Sequence, residues 1–184
     1  MNIDLRWVAS CHESAHAIAA LHLGDPVYSL VVRDNGSGEF HSYAPRLAIP
    51  LENQQHVLSV ICDSWRSEGG PADREWLERQ ITVLLAGPQA NVRLLRGTRG
   101  CGHDFNYVDL LISTLPPEEQ QRSKIYANCE EHARHIVWQR WADIESLAER
   151  LYREGELFEP AIRDALRHSG PRGQRLIGEE AVCN

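Results

Sequence analysis

Residues 5–23 are the stretch that most limits what this chain can become. Leu5, Val8, Ala9, His12, His16, Ala19, Ala20 and Leu23 recur at i, i+3 and i+4 spacing, the period of one helical face. That face is apolar except for two imidazoles one turn apart. A buried polar group without a partner costs roughly 1–3 kcal/mol, so two histidines on a core-facing stripe need something to share. Residues four apart project to the same side, and a single zinc ion would satisfy both. Glu13 is turned about 100° from His12. That is too far round for the natural third ligand, but near enough to hold a water beside the metal.

The segment Cys11-His12-Glu13-Ser14-Ala15-His16-Ala17 therefore sets His-Glu-x-x-His on a helix, the arrangement of two zinc ligands and a general base found in metallopeptidases. The competing reading, a surface helix with two solvated histidines, fits an apolar stripe poorly. The motif also recurs by chance, so a third ligand has to come from elsewhere in the chain.

The chain has 184 residues, enough for one domain with its own core. A formal net charge of -7 argues against a nucleic-acid partner recognised by phosphate neutralisation. The only basic cluster is short: Arg93, Arg96 and Arg99. No apolar run approaches the roughly 20 residues that span a bilayer. Met1-Asn2-Ile3-Asp4 lacks the basic and apolar regions of a signal peptide, so none is expected. Cys11, Cys62, Cys101, Cys129 and Cys183 are odd in number and scattered. That pattern fits a reducing cytoplasm and not a disulfide framework.

Along the chain, the first helix is expected from about Asp4 to Leu23, stopped by Gly24 and Pro26. The β-rich run Val27–Arg33, the turn residues Asp34–Gly38 and the alternating Glu39–Tyr43 predict a hairpin beside the metal helix. It is either a sheet edge able to align an extended peptide or a plain structural hairpin. Helices are expected over Leu51–Ser67 and Asp73–Ala86. Pro88 should then kink or break the second, with helix resuming through Gln89–Leu95. A glycine-rich loop, Arg99–Asp104, opens a helix over Phe105–Ser113, with Asp104 at or near its N-cap. Helix is expected from Pro116 to about Gln139, followed by a helical pair, Trp141–Arg153 and Pro160–His168, joined at Gly155. His132 and His135 read as solvated, and His22, His41, His56 and His168 carry no pattern. The class is mainly α (α+β), with one small β-hairpin beside the metal-binding helix. Residues 1–168 form the domain and 169–184 a flexible C-terminal tail.

In that order the segments resemble the peptidase domain of FtsH-type membrane-anchored, ATP-dependent zinc metalloproteases. His12–Ala17 resembles the family's HEAGHA. Val27–Val32 with Gly38-Glu39-Phe40 and Ala44-Pro45 resembles its hairpin. Ile81–Gly87 resembles the "LLGGRAAEE" helix, Gly100–Phe105 resembles "TGASNDL", and Ile144–Leu151 with Gly155-Glu156-Leu157 resembles the closing segment. The later motifs are weak singly; their order around the histidine motif makes the likeness specific. It covers nearly all of the chain to about His168.

The resemblance implies a zincin-like helical peptidase domain binding Zn2+, with His12, His16 and Asp104 as ligands and Glu13 as general base. Glu13 would hand the proton of a zinc-activated water to the leaving amine. Two imidazoles and one carboxylate leave a fourth position open, as a catalytic zinc requires. Without the resemblance, Asp104 reads equally as a helix N-cap. His103 stands where the family has Asn, and reads as a group behind the ligands or a bystander in preference to a rival ligand. Cys101 is a softer alternative ligand, and Cys11 reads as packing. Ala15 replaces a glycine, Pro88 an arginine, and Asn91-Val92 a pair of glutamates.

The family's ATPase module and membrane spans have no counterpart, and GxxxxGK[ST] does not occur. The expected substrate is therefore a flexible or unfolded polypeptide, delivered with or without a separate ATPase or adaptor. The oligomeric state is not legible from these residues. The alternative from another class is a non-enzymatic zinc-binding module that keeps the protease fold to hold a protein partner.

Overall fold

We describe the fold from a computed structural model, in which the described residues are 4–41, 71–113 and 122–167. The expected helix over Leu51–Ser67, the start of the helix at Pro116, His168 and the C-terminal tail lie outside them. Among the described residues the chain forms six helices and one three-stranded antiparallel sheet, so it is mainly α with a small β element.

Helix α1 spans Leu5–His22. Asp4 caps it, its carboxylate accepting from Arg6 N–H at 3.0 Å and Trp7 N–H at 3.2 Å, two of the donors a helix start leaves free. Gly24, at φ 86°, turns the chain away after the last turn. Strands β1 (Ser29–Val32) and β2 (Gly38–His41) form the expected hairpin, with Ser29 opposite His41 and Val32 opposite Gly38. Leu30 and Val32 point into the core.

Helix α2 runs unbroken over Pro71–Leu95 with Pro88 inside it. The expected break at Gly87-Pro88 does not occur. A mid-helix proline costs about 3 kcal/mol through a lost N–H and a ring clash. Here both flanks of the helix are buried, against α1 on one side and α4 on the other. Tertiary packing outweighs the local penalty.

Helix α3 covers Gly102–Ser113 and α4 covers Arg122–Gln139. Helix α5, Trp141–Glu154, ends at Gly155 with φ 80°, a left-handed residue that suits glycine. Strand β3 (Glu156–Phe158) and helix α6 (Glu159–Arg167) follow at once. Strand β3 was not expected. It pairs antiparallel with β1, Leu157 facing Leu30, and gives the order β2-β1-β3.

Helix α1 is the centre of the assembly. Val8 to Ala20 is buried almost all round, and not along one stripe only. Ser10, Cys11, Ser14, Ala15 and Ala17 are small, so α2, α5 and the hairpin all approach closely. One core joins α1, α5, α6, the sheet, the C-terminal end of α4 and one face of α2. A second joins the other face of α2 to α3 and α4. No helix among the described residues is long and apolar enough to cross a membrane.

Candidate metal centre

Three elements deliver the cluster: α1 brings His12 and His16, the first turn of α3 brings Asp104, and α2 forms the wall. His12 Nε2 lies 3.1 Å from Asp104 Oδ2, and His16 Nε2 lies 3.4 Å from Asp104 Oδ1. The two Nε2 atoms are 3.0 Å apart. Donors held about 2.0–2.1 Å from one ion in a tetrahedron are about 3.3 Å from each other. The Nε2–Nε2 separation and the one carboxylate contact made by each imidazole lie near that spacing, His12 facing Oδ2 and His16 facing Oδ1. Helix α3 begins at Gly102, ahead of the expected Phe105, and Asp104 sits inside its first turn, near the helix start as expected.

The tautomers suit a metal as well. His16 Nδ1 donates to the Val83 carbonyl of α2 at 2.7 Å, and His12 Nδ1 donates to Asn91 Oδ1 at 3.3 Å. With Nδ1 protonated in each ring, both Nε2 lone pairs face the shared point. Gly87 makes this possible. A Cβ there would collide with the Nε2 atoms of both His12 and His16, so only glycine lets α2 close over the imidazoles. The cradle that a methyl group would fill, and the N, N, O donor set, fit a zinc ion.

Electrostatics reinforce the grouping. Burial alone would raise the Asp104 carboxyl, but the facing imidazoles of His16 and His12 outweigh it and hold Asp104 well below the usual carboxylate range. Burial also opposes a charge on His12. Its hydrogen bonds to Asp104 and Cys101, with the carboxylates of Glu13 and Asp104 nearby, still hold it well above the ordinary 6.5.

Glu13 is 8% exposed. Its carboxyl is raised chiefly by burial, against the pull of His12 and His16 and with the push of Asp104 and Glu39. Strand β2 holds it from the other side. A Cβ at Gly38 would run into the Glu13 carboxylate, and Phe40 stacks on His16 with ring centres 5.7 Å apart.

Cys101 Sγ and the donor atoms of His12 and Asp104 all lie within 4.8 Å of one another. Cys101 is therefore close enough to the same spot to be a softer donor there. His103 is exposed and takes no part in the hydrogen bonds that join the cluster. Cys11 is fully buried, with its thiol pushed up to about 12 by burial, as a packing residue would be. His132 and His135 are exposed.

Sequence reasoning missed Gly87, Gly38 and Asn91 as parts of the site. A glycine inside a helix or strand pattern signals close approach of backbone to something else, and that signal was present at both glycines. No protein-family model and no curated protein matches this sequence.

Proposed function

We propose that this chain is a zinc metallopeptidase of the FtsH-like type its sequence resembles, cleaving flexible or unfolded polypeptides in a reducing cytoplasm. The observation that carries the reading is the gathering of His12 Nε2, His16 Nε2 and the two carboxylate oxygens of Asp104 through contacts of 3.0–3.4 Å, beside the buried carboxylate of Glu13, one residue after His12. Zinc bound there supplies Lewis acidity, polarising a scissile carbonyl and acidifying a water.

The chain's own residues do the rest. His12, His16 and Asp104 hold the ion. Val83 and Asn91 keep the imidazoles in the binding tautomer. Glu13 takes a proton from the attacking water on its carboxylate and returns it to the departing amine nitrogen, as the carbon–nitrogen bond breaks. A carboxyl raised by burial is better matched to that exchange near neutral pH. Among the described residues β2 is an outer strand, so an extended substrate can lie along it next to Glu13.

The test is Glu13→Gln in zinc-loaded protein, assayed on casein and on a quenched fluorescent peptide library. The reading expects cleavage to fall by orders of magnitude while zinc stays bound. A wild type that holds zinc yet cleaves nothing, with or without an added unfoldase, would favour the non-enzymatic zinc module.

A further inference from the structure

Asn91 is 4% exposed, one of few polar side chains buried along α2. Its amide is used at both ends. Nδ2 donates to the Arg99 carbonyl at 3.0 Å and to Cys101 Sγ at 3.2 Å, while Oδ1 faces His12 Nδ1 at 3.3 Å. A carbonyl can only accept a hydrogen bond. Arg99 therefore fixes which way the amide points, and the amide in turn fixes His12 Nδ1 as a donor. A backbone carbonyl in the 96–101 loop thus dictates the lone pair that His12 offers at Nε2.

We infer that Asn91 is the positioning residue of the cluster, with two separable tasks. Its oxygen sets the tautomer and tilt of His12 on α1. Its nitrogen ties down the loop that ends at Cys101, three residues before Asp104. One side chain on α2 thereby holds the imidazole ligand and the carboxylate ligand in register. The metal-affinity part rests on the zinc reading above; the loop-tying part does not.

The amide's two ends allow the tasks to be split. Asn91→Asp keeps an acceptor for His12 Nδ1 and sets a carboxylate against the Arg99 carbonyl. Asn91→Leu keeps the volume and removes both ends. Two readouts are taken on each protein: Co2+ affinity by titration with its visible spectrum, and the alkylation rate of Cys101 in metal-free protein, resolved by peptide mass spectrometry.

Asn91→Leu is expected to lose about 10- to 100-fold in Co2+ affinity, the usual effect of removing a partner behind a metal ligand. Both variants are expected to alkylate Cys101 at least about tenfold faster, since the same bond that shields it is gone. Asn91→Asp is expected to retain affinity closer to wild type than Asn91→Leu does. A merely structural residue would move both readouts together. Equal affinity in the two variants, or wild-type protection of Cys101 in both, overturns the assignment. If the wild type takes up no Co2+, the zinc reading falls instead. The clamp is then decided by Cys101 alone, unchanged protection refuting it.

Discussion

The two faces of helix α2 are built on opposite terms. Toward α3 and α4 it presents Leu77, Ile81 and Leu85, all fully buried among Val108, Leu111, Ile112 and Ile125. Toward α1 it presents Val83, Ala86, Gly87, Ala90 and Asn91. The first face fills space with large aliphatic side chains, and its energy is that of apolar burial. The second gives up volume so that backbone can reach imidazoles: the Val83 carbonyl on His16, and Gly87 over both rings. A single helix can therefore anchor a fold with one side and shape a buried polar cluster with the other. Stability and chemistry should respond to different substitutions.

The largest separation is expected at Gly87. Gly87→Ala places a methyl group against both Nε2 atoms, so metal uptake followed by isothermal titration should be lost. The substitution touches little of the aliphatic face, and the protein should remain folded by circular dichroism. Asp104→Asn is next. Removing the carboxylate that draws the two imidazoles together should weaken zinc binding about 100-fold in a chelator competition, while the neutral amide keeps the fold.

Leu85→Ala, on the opposite face, is the mirror experiment. Cavity creation at a fully buried leucine should cost about 2–5 kcal/mol in urea unfolding of the metal-free protein. Metal affinity of the folded fraction should stay at wild type. A drop in affinity as large as that in Asp104→Asn would show that the two faces are not independent.

The smallest effect is graded by pH. Metal must displace the proton that Asp104 and Cys101 stabilise on His12, so affinity should rise with pH, by up to about tenfold per unit for one displaced proton. In metal-free protein the raised His12 contributes stability that is complete below 6.5 and lost as pH climbs through its folded value. The lowered Asp104 contributes above 3.8 and loses its share as pH falls through its own folded value. Metal-free stability should therefore be greatest between those ordinary values, and zinc should shift the optimum upward.

Much of this was legible in the sequence because it is local. The His-Glu-x-x-His spacing lies within one helix, and helical period alone puts both imidazoles on one side. The hairpin announced itself through Asp34–Gly38 between two β-rich runs. Asp104 was legible only through the order of motifs around it, because nothing within the Gly100–Phe105 loop says which helix it will meet. Strand β3 was hidden for a related reason. Three residues carry no alternation to detect, and their partner β1 is more than a hundred positions away. The proline break was a local rule defeated by packing on two sides of α2. Asn91 was visible only as a departure from a family pattern. Its meaning needed three partners from two other segments of the chain.

His12, His16 and Asp104 stand or fall together as the proposed metal site. The most direct test is the elemental mass spectrum of the protein purified without chelator or added metal. About one zinc per chain is expected, falling to near zero in Gly87→Ala. No bound metal in the wild type, and none taken up on titration with zinc or cobalt, would contradict the proposal.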